Sequence, residues 1–352
     1  MSDRKIEFGL VGCGSVSKKH ILSIERIEDA EIKAICDVDP EIAKAVGEEN
    51  GFPYYTDYLE MAEREDFDVF SILTPSGHHA RAILELVRFG RHFVVEKPLA
   101  LRIEDADKVI QACDKSGLKI FVVKQNRCNL PVRMLKAAIE AGRFGKIVMG
   151  TVRVRWCRRQ SYYDEKKWRG TWANDGGVLT NQASHHIDML SWLLGDVESV
   201  MALTTTRLAK IETEDTGVAV LRFTSGALGL IEATTATRPE DLEGSISILG
   251  EKGSVEIGGF YMNELKTWKF ENPVPDDKVI FEKWGKNPNI WAWNHTEYMK
   301  DVVKSIKQNT RGLVEGLEGL KSLDMINAIY KSAETRKMVS LRSRPRFRRL
   351  GM

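Results

Sequence analysis

Short runs of strand-forming residues alternate with helix-like stretches in the first part of the chain, and this alternation limits the fold more than any other feature. The runs lie at residues 5–11, 31–36, 68–73, 92–95 and 119–123, and the stretches between them, such as 103–113, are amphipathic. Strands separated by helices connect through right-handed crossovers and pair in parallel. The sequence therefore predicts a doubly wound α/β domain over residues 1–124.

A different pattern follows this domain. Helices are predicted near 131–141, 178–194, 291–307 and 317–332, and longer strands at 148–156, 218–223, 228–235 and 245–249. Turn residues at 224–226 and 250–253 indicate antiparallel pairing. We expect residues 125–352 to form an α+β domain with a large, mostly antiparallel, open sheet. Because apolar residues such as Leu228, Leu230 and Ile231 exceed what one layer of helices covers, we also expect a homo-oligomer, a dimer or a tetramer.

Composition excludes several classes of protein. A chain of 352 residues exceeds a typical single core, and 43% apolar with 29% charged residues is typical of a soluble globular protein. No apolar run reaches the roughly 20 residues that cross a bilayer, so we expect a cytoplasmic protein without a membrane partner. The five cysteines are odd in number and form no Cys-x-x-Cys pair, which favours reduced thiols and no metal site.

The charge balance argues against a nucleic-acid partner. The net charge is +2, and five arginines within residues 342–349 supply +5 of it, so the rest of the chain carries about −3. This arginine-rich tail is interpreted as a solvated end.

A glycine-rich turn follows the first predicted strand. Gly12 permits the tight turn, and Gly14, Ser15 and Val16 bring backbone N–H groups to the start of a helix, where a pyrophosphate binds. Asp37 closes the second strand, at the position that bonds a ribose diol in Rossmann domains. A carboxylate there repels a 2′-phosphate, so NAD is favoured over NADP. Ser17 replaces the third glycine of the motif, and it is small enough for close packing.

The turn after the third strand is expected to flank the same cofactor. It contains Thr74, Pro75 and Ser76 and leads to His78 and His79 at the start of a helix. Histidines at helix starts also serve in packing or hydrogen bonding, so both roles stay open for the two histidines.

Lys97 lies in a Glu-Lys-Pro segment, residues 96–98, that ends the fourth strand. Ligands of α/β sheets bind at the carboxyl ends of the strands. We expect the Lys97 ammonium to bind a substrate hydroxyl and to stabilise the alkoxide that forms as hydride leaves. The alternative is a surface ion pair with Glu96.

A predicted helix carries Asn181, His185, Asp188 and Trp192 on one face. His185 suits a general base near neutral pH, with Asp188 orienting it. A histidine in a helix is often structural, and the adjacent His186 is expected to be a hydrogen-bonded core residue.

Arginines, lysines and aromatic residues are mixed between positions 153 and 172. Arginine binds phosphates and carboxylates, and aromatic faces suit sugar or base rings, which favours an anionic, ring-bearing substrate such as a nucleotide sugar. Arg153 and Arg155 alternate with Val152 and Val154, however, as on a half-buried strand whose charges face solvent or a subunit contact. Both interpretations stay open.

Together, Gly12-x-Gly14, Asp37, Glu-Lys-Pro at 96–98, Gly-Gly at 176–177 and His185-x-x-Asp188 resemble the glucose-fructose oxidoreductase, inositol dehydrogenase and rhizopine-catabolism (Gfo/Idh/MocA) family, over essentially the whole chain. The resemblance implies that Lys97 and His185 are catalytic and act on one hydroxyl. Many members have an aspartate where this chain has Asn181, so proton handling rests on His185 and Lys97. The implied cofactor-binding residues are Gly12, Gly14, Ser15, Val16, Asp37, Thr74, Pro75, Ser76, His79, Glu96, Lys97, Gln125, Trp168 and Arg169. The implied substrate-binding residues are Lys97, Asn126, Arg127, Arg158, Tyr163, Asn181 and His185.

Finer matches at 124–127, 160–164, 168–172 and 181–185 resemble the UDP-N-acetyl-D-glucosaminuronate 3-dehydrogenase branch, the WlbA/WbpB type. This resemblance implies NAD-dependent oxidation at C3 of a UDP-N-acetylaminosugar acid for surface-polysaccharide (O-antigen) synthesis, with 2-oxoglutarate as an optional hydride acceptor. Three alternatives remain: another sugar or inositol dehydrogenase, an NAD-dependent glycosidase that oxidises C3 transiently, and a cofactor-binding regulator without turnover.

Overall fold

The computed structural model of the protein describes residues 4–284 and 292–352. Strands and helices alternate strictly at first, as β1 (Ile6–Val11), α1 (Ser17–Glu25), β2 (Ala30–Cys36), α2 (Pro40–Asn50), β3 (Tyr54–Tyr55), α3 (Tyr58–Arg64), β4 (Val69–Ile72), α4 (His79–Leu86), β5 (His92–Val95), α5 (Ile103–Lys115) and β6 (Ile120–Val122). The middle of the chain contains α6 (Leu130–Glu140), β7 (Ile147–Arg155), α7 (Gln160–Asp164), α8 (Ser184–Leu194), β8 (Val197–Thr205), β9 (Thr216–Phe223), β10 (Leu228–Thr234), β11 (Glu243–Gly250), β12 (Gly253–Gly258), β13 (Glu264–Phe270) and α9 (Pro275–Trp284). It ends with α10 (Trp293–Gln308), α11 (Gly316–Thr335) and β14 (Val339–Ser340).

The chain forms two compact units. The first contains residues up to 125 together with 292–320, and the second contains 126–284 and 321–352. The sequence predicts a second domain over residues 125–352, whereas the contacts of residues 292–320 group this stretch with the first unit. The cause is local: Tyr298 in α10 donates a hydrogen bond to the carbonyl of Val122 at 2.6 Å, and the N–H of Val122 donates to Val314 at 3.0 Å.

The first unit contains a parallel sheet of six strands in the order β3-β2-β1-β4-β5-β6. Strands β4 and β6 consist entirely of buried residues, as expected where helices cover both faces. In the register, Val11 lies beside Ile72, and Ile72 beside Val95. The loops that follow β1, β4 and β5 therefore leave the same edge of the sheet, and the predicted doubly wound domain is confirmed.

The second unit contains a sheet of eight strands in the order β13-β12-β11-β7-β10-β9-β8-β14. All pairs are antiparallel except β7 with β10, as the predicted mostly antiparallel sheet requires. Helix α8 packs on one face so closely that a Cβ built on Gly150 of β7 lies 2.8 Å from Leu194. Ile231 is fully buried, whereas Leu228 on the other face is 49% exposed, so Ile231 does not belong to the apolar face that the sequence analysis described.

Several element boundaries differ from the prediction. The helix predicted at 178–194 is divided into a π-helical segment, Val178–Gln182, and α8. The helix predicted at 291–307 begins at Trp293, and residue 291 itself lies outside the described residues. The C-terminal tail is not a solvated end, because Phe347 is only 8% exposed and Leu350 is fully buried. Among the described helices, none combines the length and the apolar character needed to cross a membrane.

Candidate functional site

The glycine-rich turn after β1 has the shape that a dinucleotide requires. Gly12 has a φ of 106°, and a Cβ added there would lie 2.8 Å from the carbonyl carbon of Leu73. A Cβ added at Gly14 would meet no atom within 4 Å, so there is open space beside the backbone. Helix α1 starts immediately afterwards without an acidic residue in its first turn. Exposed N–H groups, open space and the positive end of a helix fit a pyrophosphate group.

Asp37 lies directly beside this turn. Its Oδ2 accepts a hydrogen bond from the N–H of Cys13 at 2.8 Å, and its Oδ1 accepts one from Asp39 at 3.0 Å. The carboxylate is half-buried and retains lone pairs for further donors. This fixed anion next to the glycine turn fits the ribose hydroxyls of NAD.

The turn after β4 has half-buried Thr74, Pro75 and Ser76 at the same sheet edge. His79 is buried, with Nδ1 2.8 Å from the carbonyl oxygen of Pro98 and Nε2 2.8 Å from that of Thr74. Burial lowers the pKa of His79. Both ring nitrogens of His79 contact carbonyl oxygens, so this residue connects the two loops. Its predicted contact with the cofactor stays a prediction.

Glu96 is enclosed beneath Lys97. Its Oε1 lies 3.0 Å from Nε2 of His20 and 4.0 Å from Nε2 of His295, and its Oε2 accepts the N–H of Lys97 at 3.2 Å. Burial alone would raise the pKa of Glu96, but the His20 hydrogen bond and nearby positive charge lower it to about 2. Glu96 therefore supports the backbone at half-buried Lys97. Its predicted contact with the cofactor stays a prediction.

The group of His20, Glu96 and His295 has ligand types that also suit a metal ion. Their ligand atoms all lie within 4.8 Å of one another, and all three residues are buried. Sequence spacing could not reveal this group, because His20 and Glu96 are 76 positions apart.

In the second unit, the helix start before His185 is held by side chains. Asn181 donates from Nδ2 to Oδ1 of Asp175 at 2.5 Å, and Oδ2 of Asp175 accepts the N–H of Gly170 at 2.7 Å. Since Asn181 lies in the π-helical segment, the predicted α-helical spacing between Asn181 and His185 does not apply. His185 itself is half-buried in the first turn of α8.

Asp188 has a strong partner that the sequence analysis did not predict. It forms a buried, two-point ion pair with Arg127, at 2.7 and 2.8 Å, and the Arg127 guanidinium also lies over the Trp192 ring. The substrate contact predicted for Arg127 stays a prediction beside this ion pair with Asp188. The predicted orientation of His185 by Asp188 remains a proposal. Gln125 and buried Asn126 precede Arg127 in a short 3₁₀ turn, Gln125–Cys128.

His186 is a core residue, as predicted, but neither of its ring nitrogens has a hydrogen-bond partner among the described residues. The ring packs edge-on against Trp156, with centroids 5.8 Å apart. Burial lowers the pKa of His186 to about 4, so the ring is neutral at physiological pH.

The arginine and aromatic cluster divides into two groups. Arg155 pairs with Glu232 at 2.6 Å and Glu243 at 3.1 Å on neighbouring strands, and Arg153 contacts Glu243 at 3.5 Å. These charges occupy the exposed sheet face, as the second interpretation held. Arg158 pairs with Asp241 at 3.1 Å and also donates to Gln182 at 3.2 Å, beside the π-helical segment. Its guanidinium lies over the Tyr162 ring.

The remaining predicted residues of this cluster have partners within the same unit. The Tyr163 hydroxyl bonds to Thr235 at 2.9 Å, and burial raises the pKa of Tyr163 to about 12. Tyr163 is therefore buried and hydrogen-bonded within the second unit. Its predicted contact with substrate stays a prediction. Arg169 pairs with Glu165 at 2.8 Å and lies over the Tyr162 ring, while Trp168 is half-buried.

One buried polar group was missed by the sequence analysis. Tyr330 donates to Oε1 of Glu214 at 2.8 Å and also bonds to Thr180 at 2.9 Å, directly beneath the π-helical segment. Burial raises the pKa of Glu214 to about 7. The two residues are 116 positions apart, so no local pattern indicates the contact.

Comparison with known proteins gives matches over most of the chain. The model of the oxidoreductase family Gfo/Idh/MocA, NAD-binding Rossmann fold, matches residues 6–124, and that of the C-terminal alpha/beta domain of the same family matches residues 136–341. The WlbA dehydrogenase from Bordetella pertussis, solved with NADH and UDP-GlcNAcA, is 45% identical and has a TM-score of 0.93, with 97% of this chain and 99% of that chain covered.

Two further relatives show the range of the similarity. The WlbA dehydrogenase from Chromobacterium violaceum, also solved with NADH and UDP-GlcNAcA, is 43% identical with a TM-score of 0.91, covering 97% of each chain. D-apiose dehydrogenase from Paraburkholderia graminis is 26% identical, covering 97% of this chain and 91% of that protein.

Proposed function

This chain belongs to the Gfo/Idh/MocA oxidoreductase family and is an NAD-dependent sugar or polyol dehydrogenase, and we propose that it oxidises the C3 hydroxyl of UDP-N-acetyl-D-glucosaminuronic acid to the 3-keto sugar. The observation that carries this proposal is the 43–45% identity, over nearly the whole chain, to two dehydrogenases solved with NADH and UDP-GlcNAcA. The product suits the synthesis of surface-polysaccharide sugars, including O-antigen sugars.

The cofactor is NAD, and the residues of the first unit fit it. When bound, NAD accepts the hydride from C3. We propose that the exposed turn at Gly14 and Ser15, with Val16, holds the pyrophosphate and that Asp37 accepts the ribose hydroxyls. Thr74, Pro75 and Ser76 are proposed to flank the cofactor from the neighbouring loop, and Gln125, Trp168 and Arg169 to complete its binding.

We propose that Lys97 and His185 both act on the C3 hydroxyl of the substrate. His185 accepts the hydroxyl proton, while the Lys97 ammonium stabilises the developing alkoxide, so that proton and hydride leave together. The half-burial of both side chains allows contact with a ligand while limiting water. Glu96 supports this role by anchoring the Lys97 backbone through its carboxylate.

Recognition of the sugar nucleotide is proposed for the second unit. Arg158 lies beside Tyr162 and Gln182 and pairs through Nη1 with Asp241 at 3.1 Å. We propose that its guanidinium, together with the aromatic ring, also binds a phosphate or carboxylate attached to a ring. Asn126 and Asn181 supply amide groups for the sugar hydroxyls. Asn181 cannot act as an acid or base, which leaves proton transfer to His185 and Lys97.

The hydride is proposed to leave the enzyme on a second substrate. We expect the equilibrium between alcohol plus NAD and 3-keto sugar plus NADH to favour the alcohol, so free NADH would accumulate little. If bound NADH passes its hydride to the keto carbon of 2-oxoglutarate, the products are 2-hydroxyglutarate and regenerated NAD, and the kinetics are ping-pong.

The decisive experiment mixes enzyme, NAD and UDP-N-acetylglucosaminuronic acid with and without 2-oxoglutarate. We expect 3-keto sugar and 2-hydroxyglutarate in equal amounts. Stoichiometric free NADH without an effect of 2-oxoglutarate would contradict the recycling step and leave the dehydrogenase assignment intact. Turnover of D-apiose or an inositol, but of no UDP-sugar acid, would overturn the substrate assignment.

A hydrolase remains the alternative function. An NAD-dependent glycosidase also oxidises C3, but it releases a free sugar and regenerates NAD within each turnover. Measuring released sugar in the same reaction distinguishes the two activities.

A further inference from the structure

The C-terminal tail, residues 345–352, is anchored in the second unit in spite of its arginines. Phe347 stacks on Tyr330 with ring centroids 5.0 Å apart and lies 5.2 Å from the Trp172 ring. The N–H of Gly351 donates to the carbonyl of Trp172 at 2.8 Å. Leu350 is fully buried. The tail is thus part of the core around Tyr330.

Tyr330 connects this tail to the segment that precedes His185. Its hydroxyl accepts the N–H of Gly177 at 3.3 Å and bonds to Thr180 at 2.9 Å. Leu350 approaches the same segment from another side, because a Cβ built on Gly176 would lie 3.1 Å from its methyl carbon. The start of the π-helical segment is therefore enclosed by tail and helix α11.

Glu214 satisfies the next two backbone donors. Its carbonyl oxygen accepts the N–H of Val178 at 3.0 Å, and its Oε1 accepts the N–H of Leu179 at 3.0 Å. The carboxyl lies so close that a Cβ on Gly177 would be 2.2 Å from it. The first N–H groups of a helix have no partner within the helix, and here three successive ones bind Tyr330 and Glu214.

We propose that Tyr330, Glu214 and the tail form a positioning element for His185, an inference that rests on the proposed catalytic role of that histidine. The element fixes where the helical segment begins, and the direction of the His185 side chain depends on that backbone. None of its members is proposed to touch substrate or cofactor. Their loss therefore displaces the general base without removing a reacting group.

The test compares Tyr330→Phe, which keeps the stacked ring and removes the hydroxyl, with Arg348→Ala, which changes the exposed charge of the tail. Misplacing a catalytic group slightly costs roughly 10- to 100-fold in rate, so we expect kcat of Tyr330→Phe to fall by about that factor while the NAD dissociation constant is unchanged. Hydrogen exchange of the amides at 177–179 should rise in this variant. Arg348→Ala should match the wild type in all three measurements.

Two further variants test the tail itself. Phe347→Ala removes the ring that stacks on Tyr330 and should behave like Tyr330→Phe, whereas Phe347→Leu keeps an apolar anchor and should retain most of the wild-type kcat. If Phe347→Ala does not fold, the comparison of Phe347→Leu with a deletion of 350–352 replaces it. Faster amide exchange with an unchanged kcat would overturn the positioning role, as would unchanged exchange in Tyr330→Phe.

A readout without substrate separates this inference from the proposed function. The pKa of His185, followed by NMR of the imidazole, should change in Tyr330→Phe and not in Arg348→Ala. If no UDP-sugar acid reacts with the wild type, the proposed function fails, but a shifted His185 titration still supports the positioning element. An identical titration in both variants contradicts it.

Discussion

Asp37 is the residue that we propose decides the choice of dinucleotide. Asp37→Ala would remove the proposed acceptor for the ribose hydroxyls and the charge that would repel a 2′-phosphate. A hydrogen bond to a charged group contributes roughly 1.5–3 kcal/mol, so we expect NAD to bind about 10- to 100-fold more weakly and the preference over NADP to narrow. Calorimetric titration with both dinucleotides measures this.

A matched control is available two residues away. Asp39→Ser removes a nearby carboxylate but keeps a side chain able to cap α2, as Asp39 does by accepting the N–H of Glu41 at 3.0 Å. It should bind NAD like the wild type. Tighter binding of NADP than of NAD by the wild-type enzyme would overturn the assignment of Asp37.

The adjacent histidines of α8 give the sharpest test of the proposed chemistry. Losing a general base costs roughly 10²- to 10⁴-fold in rate, so His185→Asn should reduce kcat by that factor while NAD still binds. Lys97→Ala should also cripple turnover. His186→Asn is the control, since its buried, neutral ring contributes to stability and not to proton transfer. Near-normal turnover in His185→Asn would remove His185 from the mechanism.

Local motifs could be predicted from the sequence because their residues are close together in the chain. The glycine turn and Asp37 were predicted correctly as adjacent features, and the structure joins them through the Cys13 N–H. The ion pair of Arg127 with Asp188, by contrast, was not predicted, because the two residues are 61 positions apart in the sequence. An arginine's charge alone does not reveal whether a carboxylate of the same protein already binds it.

At the scale of elements, apolar periodicity predicted a helix on both sides of His185, but it did not predict the change from π-helix to α-helix. The π-helical segment, Val178–Gln182, follows from tertiary contacts, since Glu214 and Tyr330 bind the first N–H groups of the segment. These partners come from two distant elements. The residue types and the apolar spacing within 178–194 give no sign of these contacts, so the sequence predicted one continuous helix.

The buried carboxyl group of Glu214 also predicts how the free energy of unfolding depends on pH. The pKa of Glu214 is raised from 4.5 to about 7 by burial, so between these values the folded protein holds a proton that the unfolded chain releases. This contribution is fully present below pH 4.5 and is lost as the pH rises to about 7. The shift corresponds to about 3 kcal/mol.

Glu214→Gln keeps the hydrogen-bonding shape but cannot ionise. We therefore expect the free energy of unfolding of this variant, relative to wild type, to increase between pH 5 and pH 8, as measured by urea denaturation at each pH. Glu240→Gln, at an exposed position, should follow the wild-type profile throughout. Parallel profiles for Glu214→Gln and wild type would show that Glu214 ionises normally.

At the scale of the whole molecule, the unit to which each segment belongs depends on tertiary contacts, and the sequence pattern of the helices does not predict these contacts. Helix α10 was predicted as a helix, yet its place in the first unit depends on the hydrogen bond from Tyr298 to Val122 of β6. The segment after α10 joins the same unit through the pairing of Glu315 with Phe121 of β6. The sequence pattern of an amphipathic helix shows that one face is apolar, but it does not show which sheet that face covers. The two matched family models likewise divide the chain near residue 124 in sequence order.

The exposed face of the eight-stranded sheet leads to the last prediction. Leu203 pairs with Val218 across β8 and β9, and Met201 pairs with Val220. All four side chains are between 42% and 60% exposed. Such a contiguous apolar surface on an antiparallel sheet typically marks a subunit contact. We propose that it joins copies of this chain into a dimer or a tetramer.

Light scattering at micromolar concentration should show this oligomer for the wild type. The double variant Leu203→Lys, Val220→Lys places charges in the middle of the surface, and an unpaired charge buried in an interface costs more than the contact contributes. We expect it to be monomeric, with the NAD dissociation constant unchanged. Leu317→Lys is the matched control, because Leu317 is 70% exposed and belongs to the first unit, whereas the eight-stranded sheet belongs to the second. A wild type that is monomeric, or a double variant that keeps the wild-type mass, would contradict an interface at this face.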